Sequence, residues 1–281
     1  MNKAAVTIGR KTGAFILNAV MLIFSIASIF PFVWMLYSSL KTEAEFALNI
    51  ISLPRKLIFS NYRNAIITGR MGEYALNSLF NCVVTVALVV FSAFIVAYFL
   101  SRFNFKGRTL IYSLFVAGML IPVHSLMVPL FVEYRIFNFL NNRFTLLPVY
   151  LSFGLPIAIF LIESFIGAIP IELEEAAIID GSSIVRTMFI IIMPLCRPVL
   201  ATVLILTFMN TWNEFPFALV LIRDNALKTI PIGLRNFQGA YTARYTQFMA
   251  GMAVSLIPVM VVYCLFYKKI IVGMTAGTIK G

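Results

Sequence analysis

One histidine, His124, and three cysteines, Cys82, Cys196 and Cys264, are all the imidazole and thiol groups in a chain of 281 residues. None of them lies at ligand spacing from another, which excludes a zinc site of the usual kind and leaves the cysteines as small core hydrophobes. His124 reads as a packing or gate position near Pro122 and Pro129. Charge is scarce as well: only 12% of residues carry it, with 11 Asp and Glu against 22 Lys and Arg. The cations are scattered over every connection and form no stripe, so no nucleic acid is expected as a partner, and they read as membrane-flanking anchors. Catalytic constellations are lacking. No Gly-x-Ser-x-Gly or His-Glu-x-x-His occurs, and Gly9-Arg-Lys-Thr12 lacks the upstream glycine and strand of a phosphate loop. No catalytic residue, no metal site and no bound cofactor are expected of this chain.

Apolar residues, by contrast, make up 61% of the sequence, with 27 phenylalanines and 13 methionines. A bilayer helix needs about 20 mostly apolar residues to cross roughly 30 Å of hydrocarbon. Six segments satisfy that requirement: 14–38, 76–100, 109–132, 144–167, 196–222 and 247–272. Backbone polar groups in lipid must be satisfied within each segment, so the expected fold is an all-α integral membrane protein, a single transmembrane domain over 1–281. The first apolar run is too long for a signal-peptide core and reads as an uncleaved span. An even number of spans puts both termini on one side. Cations divide equally, 11 and 11, between the two sets of connections. The crowding of Arg102, Lys106 and Arg108 into a short connection favours cytoplasmic termini. Residues 39–75 and 223–246 are polar excursions, the first a small extramembrane cap.

Between the fourth and fifth spans lies a connection of a different kind, 170–194. Pro170 suits the start of a helix, and Glu172, Glu174 and Glu175 favour its positive end. Leu173, Ala176, Ala177 and Asp180 share one narrow face able to approach another surface closely. Gly181 is a natural stop. Ser182 or Ser183 can cap a second short helix that runs to Met193 and ends at Pro194. A helix–turn–helix at the membrane surface follows. Physics alone leaves open an interfacial connector without a partner.

The register of Glu175, Ala176, Ala177, Gly181, Ile191 and Pro194 resembles the Glu-Ala-Ala loop of permeases from binding-protein-dependent ABC importers, with Met193 in place of the usual leucine. Thr211-Trp-Asn-Glu-Phe-Pro-Phe-Ala-Leu-Val-Leu-Ile-Arg-Asp224 resembles the fifth-span signature of carbohydrate importers. Val272-Gly-Met-Thr-Ala-Gly-Thr-Ile-Lys-Gly281 is similar to the tail (273–281) of the maltose-type second permease. The resemblance implies the type I ABC importer permease fold, in the bacterial or archaeal cytoplasmic (inner) membrane. It implies these partners: a homologous sister permease forming a heterodimer, two ABC ATPase subunits that bind ATP and Mg, an extracytoplasmic solute-binding protein, membrane lipid and a carbohydrate substrate. It also implies that Glu175, Ala176, Ala177, Asp180, Gly181, Ser182 and Pro194 couple to the ATPase. The tail residues Thr275, Ala276, Gly277, Lys280 and Gly281 would contact it; a disordered terminus is the alternative.

Asn210, Trp212, Asn213 and Glu214 fall within the fifth span. An ionisable group there should face a bundle interior or water, and amides beside a ring suit a sugar, so these are substrate-path candidates. Hydrogen bonding to the sister permease is the alternative. Pro216 can break the span. Glu163 reads as an interfacial carboxylate. The expected function is ATP-driven import of an oligosaccharide or related carbohydrate by alternating access. The same machine carrying another polar solute, such as glycerol-3-phosphate, and a non-transporting scaffold are the alternatives.

Overall fold

The computed structural model describes residues 3–237 and 244–276, with side chains for 14–237 and 244–266. Every regular element among them is helical, as the continuous apolar runs dictate. Helix α1 runs Lys3–Ser38, α2 Met71–Arg102, α3 Arg108–Gly118, α4 Met127–Ile136 and α5 Leu146–Gly167. Then come α6, Glu172–Ile179, α7, Ile184–Leu195, α8, Arg197–Asn213, α9, Pro216–Leu221, and α10, Tyr245–Ala276. Four stretches are long and apolar enough to cross a membrane: Ala14–Ser38, Met71–Arg102, Leu146–Gly167 and Tyr245–Phe266. Two more qualify only as bent pairs. The residues from Arg108 to Ile136 turn by 90° at the break before Val123, and those from Ile184 to Asn213 turn by 77° at Cys196.

These bends have local causes. Pro122 follows the end of α3 in extended conformation and cannot continue a helix. Pro198 sits in the first turn of α8, where its missing N–H costs nothing, so the chain restarts there after turning. The segment 109–132 read as one unbroken apolar run, and hydropathy does not register such a turn.

The chain divides into two compact units. The first comprises residues up to Gly69 together with 236–254. Its α1 presents an apolar face with none of the span's window buried, as suits a helix solvated by lipid. Beyond α1 the chain folds into a hydrogen-bonded cap around Lys41, which is fully buried. The Lys41 ammonium donates to the carbonyls of Asn49 (3.1 Å) and Ile50 (3.0 Å) and lies 5.3 Å from the Tyr37 ring centre. Burial lowers its pKa, and the nearby Glu45 carboxylate opposes that shift. Asn61 donates to the carbonyls of Ser39 and Lys41, both at 2.8 Å, and Glu43 accepts from the Thr246 amide and hydroxyl.

The second unit, Arg70–Arg235 with the chain from Ser255 onward, is organised on α2. Ser78, Cys82, Thr85, Val89, Ala93 and Ala97 recur every three or four residues and are all buried, so one face of α2 is enclosed along its length. That face packs chiefly on α5 and next on α8. Small residues set the approach: a side chain on Gly154 of α5 would stand 3.0 Å from Val89. A second apolar cluster joins Tyr134, Leu146, Tyr150, Phe217 and Leu221, drawing α4 and α9 against α5.

Candidate functional site

Two features of the second unit carry polar chemistry. The first is the connection α6–α7. Its amides and carbonyls close a left-handed C-terminal cap: Gly181 N–H donates to Ile178 O and Ser182 N–H to Ala177 O, both at 2.9 Å. Gly181 has φ +82°, a region where any Cβ is strained. Of the two candidate caps for the next helix, Ser183 does the work, its side chain accepting from the Arg186 amide at 3.3 Å. The Ser182 hydroxyl instead meets Thr187 Oγ1 at 3.0 Å.

The outer face of this connection is exposed and mixed. Glu175, Ala176, Asp180 and Gly181 are exposed, and so are Ile178, Ile179, Ile184 and Val185, with Ile179 at 85%. Carboxylates interleaved with isoleucines make a mixed face that suits neither lipid nor water. Ala177 is turned inward and buried, and Pro194 is half-buried in the last turn of α7. Glu174 is the inward carboxylate. As one of three acids at a helix start, it is not set apart by the sequence from Glu172 and Glu175.

The second feature is a cavity of about 550 Å³ between α5, α8, α9 and the turn Val123–Leu126. Asn210, Asn213 and Glu214 line it, with Tyr150, Phe153, Phe217 and His124. The chain breaks at Glu214 and Phe215, and Pro216 starts α9. The Glu214 carboxylate spans that break. It accepts from Phe217 N–H (2.6 Å), Ala218 N–H (3.1 Å) and the Tyr150 hydroxyl (2.8 Å). Two main-chain donors freed by the break are thus satisfied inside a span, as lipid requires. Asn213 donates to Met209 O at 2.9 Å and remains exposed, as does Asn210. Trp212 lies apart from the cavity: it is buried and stacks on Phe208, with ring centres 5.6 Å apart. Tyr150 and Phe153, one and two turns into α5, are wall residues that sequence reasoning missed, since aromatics within an apolar run carry no distinguishing signal. His124, read as a packing or gate position, is exposed in the cavity wall. Glu163 lies 3.9 Å from Arg108 at the helix ends.

Of the tail candidates, Thr275 and Ala276 close the backbone of α10, while Gly277, Lys280 and Gly281 lie outside the described residues.

Residues 89–274 match the model of the family described as binding-protein-dependent transport system inner membrane component. A putative ABC transporter permease, ORF2 of Caldicellulosiruptor sp. (strain Rt8B.4), is 37% identical over 252 residues, covering 89% of this chain and 91% of that protein. The diacetylchitobiose uptake system permease NgcG of Streptomyces coelicolor is 35% identical, covering 99% of this chain and 92% of its own length. The trehalose/maltose transport system permease MalG of Thermococcus litoralis is 33% identical over 92% of this chain and 94% of its own. In three dimensions the chain is similar to a chain of a bacterial ABC transporter involved in import of the acidic polysaccharide alginate, with a TM-score of 0.77 and 24% identity. The match covers 95% of this chain and 98% of that one.

Proposed function

We infer the function from one premise: the chain belongs to the family of binding-protein-dependent transport system inner membrane components, and is a permease subunit of an ABC importer. It is a multi-pass membrane protein and a transporter component, not an enzyme, and it works with an ATPase and a binding protein. Its relatives of known cargo are named for sugars and oligosaccharides, and carbohydrate import is the function assigned to this chain.

One observation of the molecule carries the substrate class. Among the described residues the cavity wall holds no lysine or arginine, and the one carboxylate there is already engaged by three donors. What the described lining residues leave for a ligand is the exposed amides of Asn210 and Asn213, the exposed imidazole of His124 and the half-buried ring of Phe153. Amides bind hydroxyls and a ring covers the apolar face of a pyranose, whereas a phosphate would find no lysine or arginine among the described lining residues to pair with. The reading is an uncharged oligosaccharide, ahead of glycerol-3-phosphate. A pure scaffold would have no use for such a cavity at a broken span.

The finer assembly belongs to the same proposal. A homologous sister permease completes the membrane pathway, and two ATPase subunits bind ATP and Mg on the cytoplasmic side, where both termini lie. The exposed face of α6–α7 docks in them, with Glu175, Ala176, Asp180, Gly181 and Ser182 at the contact, Ala177 and Pro194 beneath it, and the tail from Thr275 to Gly281 reaching the same partners. Closure of the ATPases carries the permease between inward- and outward-facing states. Asn210→Leu tests the substrate assignment. In the reconstituted importer, uptake of a neutral labelled oligosaccharide is expected to fall about tenfold, the worth of roughly 1.4 kcal/mol of lost hydrogen bonding, with assembly unchanged. Excess glycerol-3-phosphate should not compete in the native importer. Unaltered uptake by Asn210→Leu, or competition by the phosphate, would count against the assignment.

A further inference from the structure

Besides its covalent ends, the docking segment meets the membrane core along α7, where Phe189 packs on Phe91 and Phe94 of α2, and α6 is tied to α2 by a polar contact of its own. Arg102, at the end of α2, donates through Nε to Glu174 Oε1, and Tyr98, one turn earlier, donates its hydroxyl to Glu174 Oε2 at 2.7 Å. Arg102 Nη2 reaches Ile169 O at 2.9 Å, just ahead of α6. Both charged side chains are enclosed, with 9% and 7% of their surface exposed. The arginine fork therefore holds the chain entering α6 and the first turn of α6 together, and every carboxylate oxygen has a donor.

Burying an ion pair is a poor route to stability, because desolvation offsets most of the attraction. It does fix geometry, since a planar fork accepts only a narrow range of positions. Geometry is what this place needs. The covalent route from α6 to the cavity runs through the left-handed turn at Gly181 and the 77° bend at Cys196. Each is a joint at which an imposed displacement can be absorbed. The route through Arg102 enters α2, a single helix of 32 residues whose buried face packs on α5 and α8, two walls of the cavity.

We propose that Glu174, Arg102 and Tyr98 are positioning residues that lock α6 to α2, so that a displacement of the docking helix reaches the cavity walls through α2. The proposal rests on the importer reading given above. It concerns the joint behind the docking face and not the face itself, since Glu174 and Arg102 are buried and out of a partner's reach.

The test uses the complete importer in proteoliposomes, with sugar uptake and ATP hydrolysis measured on the same preparation. Uptake by the native complex checks the importer reading separately. Glu174→Gln keeps the shape but gives up the charge, so sugar moved per ATP is expected to fall about tenfold while hydrolysis stays within about twofold of native. Tyr98→Phe removes one hydrogen bond and no packing, and should lower the same ratio about threefold. Arg102→Lys can reach the carboxylate or the Ile169 carbonyl but not both, and should fall between native and Arg102→Gln. A merely structural role would lower assembled complex and hydrolysis together, leaving the ratio at the native value. That result, or a native ratio in Glu174→Gln, overturns the proposal. Should Glu174→Gln fail to assemble, Tyr98→Phe decides on the same ratio.

Discussion

Glu214→Leu is expected to lower the thermal unfolding midpoint of the detergent-solubilised permease by roughly 10 °C, taking about 3 °C per kcal/mol for a domain of this size. The leucine leaves three donors without an acceptor: the amides of Phe217 and Ala218 and the hydroxyl of Tyr150. Each orphaned buried donor costs roughly 1–3 kcal/mol, and Phe217, Ala218 and Tyr150 are all buried. Glu214→Gln separates this cause from lost charge. Its one carbonyl oxygen, placed where Oε2 lies, can still accept from Tyr150 and Ala218, so about half of the loss should be restored. A leucine variant that melts within about 2 °C of native would show that the break is not held by this carboxylate.

Gly181→Val should sharply lower coupled transport in a complex that still assembles. The glycine lies at φ +82° with open space where a Cβ would stand, so nothing clashes and the cost is in the backbone. A left-handed conformation costs roughly 1–2 kcal/mol for an ordinary residue, and a β-branched side chain tolerates it least. Relief requires the turn to move, which takes the amides of Gly181 and Ser182 off Ile178 and Ala177 and swings α6 relative to α7. A displaced turn worth about 1.4 kcal/mol corresponds to about a tenfold loss of uptake. Asparagine adopts the left-handed region more readily, so Gly181→Asn should retain a clearly larger share than valine. Equal loss in both variants would point to side-chain bulk at the docking face, and native uptake in Gly181→Val would show that docking does not depend on how this turn sets α6 against α7.

The straight spans were legible because uninterrupted apolar length is a direct physical requirement of the bilayer, and α2, α5 and α10 satisfy it even with Pro156 and Pro258 inside the latter two. The helix–Gly–helix at Glu172–Leu195 was legible for a similar reason: acids at a helix start, a glycine at its end and a serine cap are local signals with local consequences. Two things were not legible. A dipole argument treats Glu174 and Glu175 alike, yet adjacent residues on a helix point about 100° apart, and only the partner decides which is enclosed. That partner, Arg102, is 72 positions away. Arg102 was visible only as one of several cations flanking a span.

Glu214 was legible as unusual but not in its reason. An acid inside a span suggests a ligand or a water-filled path. Its partners exist because Pro216 restarts the helix two residues later and leaves free amides behind it. The sequence did contain that signal, an acid just before a proline-led helix, but it was outweighed by the membrane setting. With Glu214 engaged by three donors, the proposed recognition of substrate rests on Asn210 and Asn213. The buried Trp212 then serves packing, where its ring meets Phe208.

The central claim, that this chain is the membrane pathway of a carbohydrate importer, is tested most directly by accumulation in proteoliposomes. The permease is reconstituted with the ATPase, the binding protein and the sister permease proposed above, and a labelled uncharged oligosaccharide is supplied on the binding-protein side. The account predicts uptake against a gradient that requires both ATP on the ATPase side and the binding protein, and that fails with Gly181→Val. Sugar that equilibrates without ATP, or an assembled complex that hydrolyses ATP and accumulates only anionic solutes, would contradict it.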